Sequence, residues 1–212
     1  MKEADASVFK PLFPAEHVPV ILFSLLKATT ELRKKTDDER EDRLTSRLYR
    51  SIVMMPKFRD GPLDIRLQPE IPSTDPQKDT PGGRIDLLVS CGKGNEVYFA
   101  IEAKRLRVCS TGSRVTHHGS TEYVTQGMMR FVSGQYAPYM RAGAMLGYVF
   151  DGRIEKARSG INRSIRNRAK KLKMKTPDGL TESTIMVGKP IDETTHHLAE
   201  RRFIIYHLLV AV

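Results

Sequence analysis

The chain is poor in the residues that build disulfide frameworks and membrane spans. Its 212 residues include no Trp and only two Cys, Cys91 and Cys109, which lack C-x-x-C spacing. We therefore expect reduced thiols in a cytoplasmic protein. The most apolar early run, VPVILFSLL, has about half the length that crosses a bilayer. The residues before it lack the apolar core of a signal peptide, so we expect no membrane insertion.

Several motifs that carry chemistry are also missing. The sequence has no glycine-rich phosphate loop of the P-loop type, no Ser or Cys nucleophile motif and no internal repeat. Adjacent histidines point in different directions, and the pairs His117-His118 and His196-His197 lack ligand spacing for zinc. His207 lies in an apolar run, where we expect a hydrogen-bonded core residue.

Acidic residues are fewer than basic ones. The chain has 25 Asp and Glu against 35 Lys and Arg, a formal net charge of +10. Such a balance favours a polyanionic partner, nucleic acid first and an acidic membrane surface second. Most of the excess lies in residues 153–175, which carry ten Lys and Arg and one acid, Glu155. We interpret this stretch as a basic helix whose charges surround it.

The apolar share of 40% is enough for a sizeable core. The element order predicts an α/β fold with a mixed central β-sheet flanked by helices, an N-terminal arm and helix in 1–35 and a main domain in 36–212. In the second predicted helix Thr36 is the N-cap and Glu39 completes a capping box. The predicted helices are 15–35, 36–53, 121–134 and 153–175, and the predicted strands are 63–68, 84–90, 96–104, 142–152, 181–188 and 201–212.

The segment GRIDLLVSCGKGNEVYFAIEAKR, residues 83–105, reads as a hairpin of two strands that carries unexpected charges. Side chains of a strand alternate between its faces, so Glu102 and Lys104 are neighbours on one face. Asp86 begins the partner strand and lies opposite the same end if the register holds. Two carboxylates and one ammonium would then meet at the end of the sheet.

Mg²⁺ prefers carboxylate oxygens and keeps several of its waters. A carboxylate pair on adjacent strands can hold such an ion beside a phosphate, and a neighbouring Lys can orient the attacking water or stabilise developing charge. The sequence therefore predicts a site for Mg²⁺ or Mn²⁺ at this end of the hairpin.

Asp86 followed by Glu102-Ala103-Lys104 resembles the PD-(D/E)XK nuclease superfamily, whose fold is restriction-endonuclease-like. The chain departs from the motif at Ile85, where the family nominally has Pro, a position at which members vary. The resemblance spans about residues 36–150. It implies that Asp86, Glu102 and the carbonyl of Ala103 bind the metal and that Lys104 assists the attacking water.

The resemblance also implies supporting residues on the flanking helices. Glu41 precedes Leu44 by three residues and so falls on the apolar stripe of the second helix. It would approach the metal, although a salt bridge at the stripe's margin is the alternative. The helix after the hairpin would supply Gln126, with Tyr123, Arg130 and Tyr136 as other candidates. Basic residues would contact the nucleic-acid backbone, namely Arg105, Arg107, Arg114, Arg163, Arg166, Lys170 and Lys171.

The expected function is a Mg²⁺-dependent endonuclease that cleaves DNA rather than RNA, in restriction-like defence against phage or plasmid DNA. A repair or junction-resolving nuclease is an alternative with the same chemistry. Two further alternatives are a non-catalytic nucleic-acid-binding subunit on the same fold and a basic interaction protein whose hairpin charges are merely solvated. Because no recognition module is evident, we expect a homodimer or a partner protein to supply targeting.

Overall fold

A computed structural model describes residues 13–71, 77, 79–92, 97–109, 116–198 and 201–212. A single 3₁₀ turn, Ala15–His17, precedes the first helix. The helices are α1 (Val18–Thr29), α2 (Glu41–Val53), α3 (Pro56–Arg59), α4 (Ser120–Glu122), α5 (Met129–Val132) and α6 (Ile154–Arg166), with a π-helical turn, Tyr123–Met128, between α4 and α5. The strands are β1 (Leu63–Leu67), β2 (Glu70–Ile71), β3 (Gly83–Arg84), β4 (Leu87–Cys91), β5 (Tyr98–Leu106), β6 (Val108–Cys109), β7 (Thr116–His117), β8 (Ala142–Val149), β9 (Thr181–Glu182), β10 (Ile191–Leu198) and β11 (Arg201–Ala211).

Seven strands form one mixed sheet in the order β1-β4-β5-β8-β11-β10-β9. The central strands β5, β8 and β11 are parallel, and the outer pairs are antiparallel. Strand β8 is buried along almost its whole length, as expected for a parallel strand covered on both faces. The predicted fold class, a mixed α/β sheet flanked by helices, is confirmed.

Each face of the sheet carries its own hydrophobic core. Phe99 and Ile101 of β5 face a core that includes residues of α1 and α2. Tyr98 and Ala100 face the opposite core, which includes residues of the α4–α5 segment and of α6. The observed alternation of β5 is that of a strand with two buried faces. Among the described residues, no helix is long and apolar enough to cross a membrane.

The second predicted helix is present but begins later than expected. It starts at Glu41 after Arg40, not at Thr36, and its apolar stripe is Leu44, Leu48 and Ile52. The capping box with Glu39 is therefore wrong. The buried Glu39 carboxylate lies before the helix, where it accepts from the Lys35 N–H at 2.7 Å and pairs with the Arg47 guanidinium at 2.6 Å and 2.9 Å.

The basic helix is also shorter than predicted. Residues 153–175 do not form one helix, because α6 ends at Arg166 and turns follow it. The strand predicted at 181–188 is limited to Thr181–Glu182. The adjacent β10 was missed, since its sequence IDETTHHL looks polar although it pairs with β11 along its length. The predicted turn at 91–95 and the arm before residue 13 lie largely outside the described residues.

Candidate active site

The site lies where β4 and β5 separate. The two strands pair antiparallel from Ser90–Tyr98 to Leu87–Ile101, and the same register places Asp86 opposite Glu102. Strand β4 begins at Leu87, whereas β5 continues to Leu106 and pairs on its other side with β8. Within the described chain, the edge of β5 beyond Ile101 therefore has no strand partner on the β4 side. The register that the sequence analysis assumed is confirmed.

Carboxylates replace the missing strand along this edge. Asp86 Oδ2 accepts a hydrogen bond from the backbone N–H of Ala103 at 2.8 Å. Glu41 Oε2 accepts one from the N–H of Arg105, also at 2.8 Å. Alternate residues of a strand turn their backbone groups to the same edge, so the two acids follow one another along β5. Both buried donors are thereby satisfied.

Lys104 connects the carboxylates. Its Nζ donates to Glu102 Oε1 at 2.8 Å and to the Ala103 carbonyl at 2.6 Å, and lies 3.3 Å from Glu41 Oε1. Burial disfavours the ammonium form, but the negative charges of Glu102 and Glu41 outweigh that effect and raise the pKa of Lys104. A protonated Lys104 serves as a cation and hydrogen-bond donor rather than as a base.

Glu102 is the most buried acid of the site, with 1% of its surface exposed. Burial, with the Asp86 charge adding to it, raises the pKa of Glu102 to about 7. Burial likewise raises the pKa of Glu41, against the opposing effect of Lys104. The hairpin charges are therefore not a solvated face. They form a strained cluster in which ionisation of Glu102 needs compensating positive charge.

Arg130 supplies part of that charge. Its Nη1 donates to Glu102 Oε1 at 2.8 Å and to the Tyr136 hydroxyl at 2.6 Å. The Tyr136 hydroxyl in turn donates to the carbonyl of Arg84 at 2.6 Å. Sequence reasoning named Arg130 and Tyr136 only as secondary candidates, yet they are the residues that contact the buried carboxylate from the helix side.

Gln126, the preferred candidate on that helix, is exposed, and no hydrogen bond joins it to a described site residue. Gln126 lies within the π-helical turn Tyr123–Met128, whose buried residues include Val124 and Met128, and it is on the exposed side of that turn. The sequence feature that could have identified Arg130 is its place between apolar residues, two after Met128 and directly before Phe131.

The oxygen atoms of the site are suitable ligands for a hard divalent cation. Both oxygens of Glu102 lie in the interior, and its Oε2 has no hydrogen-bond partner among the described residues. Asp86 Oδ2 accepts from Ala103, and its Oδ1 has no hydrogen-bond partner among the described residues. The Ala103 carbonyl is hydrogen-bonded to Lys104 Nζ on the same side of β5. Mg²⁺ commonly binds one or two carboxylates and retains waters. No set of three His, Cys, Asp or Glu side chains in the described chain forms a larger metal cluster.

The basic residues predicted to contact a nucleic-acid backbone lie in different surroundings. Arg105 donates to the carbonyls of Asp38 and Glu39, and Arg107 forms an ion pair with Asp151 at 2.7 Å. Arg114 lies outside the described residues. The exposed Arg166, Lys170 and Lys171 line a cavity of about 520 Å³ after α6, and Arg163 is exposed on α6 itself.

The buried histidines form a hydrogen-bond chain rather than a metal site. His196 Nδ1 lies 2.7 Å from the Leu172 carbonyl and therefore donates to it. Its Nε2 must then accept from Thr194, whose hydroxyl oxygen accepts from His207 Nε2 at 2.9 Å. His207 Nδ1 accepts from Tyr123. Burial lowers the pKa of His196 to about 4 and that of His207 well below its ordinary value, so both rings are neutral.

Comparison with models of protein families, with curated proteins and with solved structures gives no significant match for this chain. Its function is therefore inferred from its own residues.

Proposed function

We propose that the chain is a nuclease of the PD-(D/E)XK type that hydrolyses phosphodiester bonds of DNA with Mg²⁺ or Mn²⁺. The observation that carries the proposal is the edge of β5. There Asp86 and Glu102 lie opposite each other beside the Ala103 carbonyl and the Lys104 ammonium, and Glu102 Oε2 is buried without a hydrogen-bond partner among the described residues.

In this mechanism Asp86, Glu102 and the Ala103 carbonyl hold the ion. When bound, the ion polarises a phosphoryl oxygen and makes water a stronger nucleophile. The Lys104 ammonium orients the attacking water and stabilises negative charge on the phosphate as the bond breaks. Glu41 fixes Lys104 and the β5 backbone, while Arg130 fixes the Glu102 carboxylate. The role of restriction-like defence against foreign DNA is part of the same proposal.

The net charge of the site also favours a cation. Three carboxylates (Asp86, Glu102 and Glu41) meet two cationic side chains (Lys104 and Arg130), and Glu102 Oε2 is buried with no hydrogen-bond partner among the described residues. A buried charge without compensation is costly. A divalent cation would provide that compensation.

The test is cleavage of plasmid DNA, single-stranded DNA and RNA with Mg²⁺ or Mn²⁺ and with EDTA. We expect metal-dependent cleavage of DNA that is abolished in Glu102→Gln and Lys104→Met. The exposed residues Asp64 and Lys57 give matched controls, Asp64→Asn and Lys57→Met, which should cleave as the wild type does. Cleavage of RNA but not of DNA would show that the substrate is RNA.

One observation favours a second candidate, a non-catalytic nucleic-acid-binding subunit. Lys104 and Arg130 already bond Glu102 Oε1, so protein cations satisfy part of the carboxylate cluster. Nucleic-acid binding without cleavage under every metal condition, unchanged in Glu102→Gln, would favour this candidate over the nuclease.

A further inference from the structure

A groove of about 510 Å³ lies beside α6, between that helix and the residues at the start of α4. Helix α6 contributes Lys156, Ser159 and Arg163, which follow one another at helical spacing of three and four residues. The opposite wall includes Arg107 and Ser120. The charges of α6 therefore do not simply surround the helix, since a stripe of them lines one groove.

The cations of this stripe have no acidic partner among the described residues. Lys156 and Arg163 are exposed, and neither forms an ion pair with an acid in the described part of the chain. No Asp or Glu lines the groove. By contrast Arg158, on another side of α6, is bound to both carboxylate oxygens of Asp192, at 2.7 Å and 2.8 Å. Asp192 therefore neutralises Arg158, whereas Lys156 and Arg163 remain available to bind a ligand.

On the opposite wall, Arg107 is held in place by Asp151. Arg107 is 7% exposed, and its Nε lies 3.0 Å and 2.8 Å from the two oxygens of Asp151. Arg107 follows Lys104 by three residues, so their Cα atoms are at most about 11 Å apart. Phosphates of one DNA strand follow each other every ~3.4 Å along the duplex axis. A strand held at Lys104 would therefore need only a few phosphates to reach this wall.

Hydroxyl groups complete the lining. Gly160 lets α6 pack closely on α4, because a Cβ at this position would be 2.6 Å from Ser120 Oγ. Ser120, Thr121 and Ser159 thus place hydroxyl donors among the cations. The rest of the lining is also mainly cationic and hydroxyl-bearing, with His118 and Asn167 beside these groups. Such a groove suits phosphate oxygens, whose contacts carry no sequence information.

We propose that the groove between α6 and the start of α4 binds the sugar-phosphate backbone of a nucleic-acid strand on one side of the reacting phosphate, independently of base sequence. The identification of the ligand as nucleic acid rests on the proposed function. The groove itself is separate from the carboxylate cluster, so binding there does not require hydrolysis or a metal ion.

The experiment measures binding of a short fluorescent single-stranded DNA by anisotropy, in EDTA and over a series of KCl concentrations. The double variant Lys156→Ala/Arg163→Ala removes two groove cations. The charge-matched control is Lys27→Ala/Arg50→Ala, two exposed positions on helices that pack against the other face of the sheet. Thermal unfolding of both double variants checks that the fold is retained.

We expect the groove variant to bind more weakly than the control and to lose about 1.4 from the slope of log K against log[salt], because each single-strand phosphate contact contributes about 0.7. The loss should be equal for pyrimidine and for mixed-sequence oligonucleotides. A groove variant that matches the control, or a loss that depends on base composition, overturns the proposal. A third result would also overturn it: inorganic pyrophosphate competes with DNA in the wild type but not in the groove variant, while both proteins bind DNA with equal affinity. The groove would then bind small anions only.

These outcomes are independent of catalysis. A wild type that never cleaves, combined with weaker DNA binding by the groove variant, would sink the nuclease proposal and leave the groove assignment standing. Cleavage that depends on Glu102, combined with unchanged DNA binding by the groove variant, would do the opposite.

Discussion

The Glu41 carboxylate joins α2 to the backbone of β5. Its Oε2 accepts from the Arg105 N–H at 2.8 Å, and its Oε1 lies 3.3 Å from Lys104 Nζ. One side chain therefore caps the free strand edge and also holds the lysine of the candidate site. These two roles can be separated by substitution.

We expect Glu41→Gln to keep the fold and to lose cleavage. A Gln oxygen can still accept from the Arg105 N–H, but it carries no charge to hold Lys104. Stability should stay within about 1 kcal/mol of the wild type, while cleavage falls about 10- to 100-fold, as is usual for residues that orient metal-site groups. Glu41→Ala should also lose about 1–3 kcal/mol of stability, because it leaves the backbone donor without its acceptor. Urea denaturation and cleavage rates together test this, and equal stability of the Gln and Ala variants would contradict it.

Arg130 should matter for metal affinity more than for the fold. Arg130→Met removes the guanidinium that donates to Glu102 Oε1 and lowers the pKa of that carboxyl, so a proton competes better with Mn²⁺. We therefore expect Mn²⁺ to bind about 10- to 100-fold more weakly. Tyr136→Phe keeps the guanidinium beside Glu102 and should lower the affinity less. Titration with Mn²⁺, followed by electron paramagnetic resonance, measures both. Arg141→Met, at an exposed position, is the control, and an Arg130→Met protein that binds Mn²⁺ like this control would refute the prediction.

The ionisation of Glu102 should make the metal-free protein less stable as the pH rises. Its folded pKa of about 7 lies above the ordinary value of 4.5, so the folded state holds this proton more tightly than the unfolded state does. The resulting stabilisation is complete below about pH 4.5 and is lost as the pH rises to about 7.

The measurement is the difference in unfolding free energy between the wild type and Glu102→Gln in EDTA. That difference should shift against the wild type by about 3 kcal/mol between these pH values. Above pH 7, Mg²⁺ should stabilise the wild type and leave Glu102→Gln unchanged. A wild type and a variant with parallel pH profiles would rule out the raised pKa.

Thr194 should be a large contributor to stability although it is polar. Its hydroxyl lies between His196 Nε2 and His207 Nε2, and all three side chains are buried. Thr194→Val leaves one ring acceptor and one ring donor unsatisfied, so we expect a loss of about 2–4 kcal/mol in denaturant unfolding. Thr194→Ser should restore most of it. The neighbouring Thr195→Val, at a half-buried position, is the matched control, and equal losses at the two positions would contradict the hydrogen-bond chain.

Local patterns were sufficient to predict the hairpin and its register. Period-two alternation placed Glu102 and Lys104 on one face, and the antiparallel pairing of Leu87 with Ile101 puts Asp86 opposite them. The apolar runs of β8 and β11 are likewise recognisable as buried strands, because strands buried on both faces have few polar positions. Glu41 was predicted from its place on the stripe of α2, even though the start of that helix was wrong.

The features that were missed depend on contacts distant in sequence. Arg158 is removed from the basic surface by Asp192, 34 residues away. The polar strand β10 is buried because Thr194 and His196 find partners on other segments. Arg130 reaches Glu102 across 28 residues, whereas Gln126 lies on the exposed side of the π-helical turn, and helical periodicity alone does not distinguish the two.

An unpaired strand edge usually invites another chain to add to the sheet. On β5 that edge is part-buried, and the backbone donors of Ala103 and Arg105 are already bound to Asp86 and Glu41. A foreign strand would have to displace both acids before it could pair there. The side chains that we propose for hydrolysis should therefore also protect the sheet from aggregation, so variants that remove them outright should be judged for solubility before they are judged for activity.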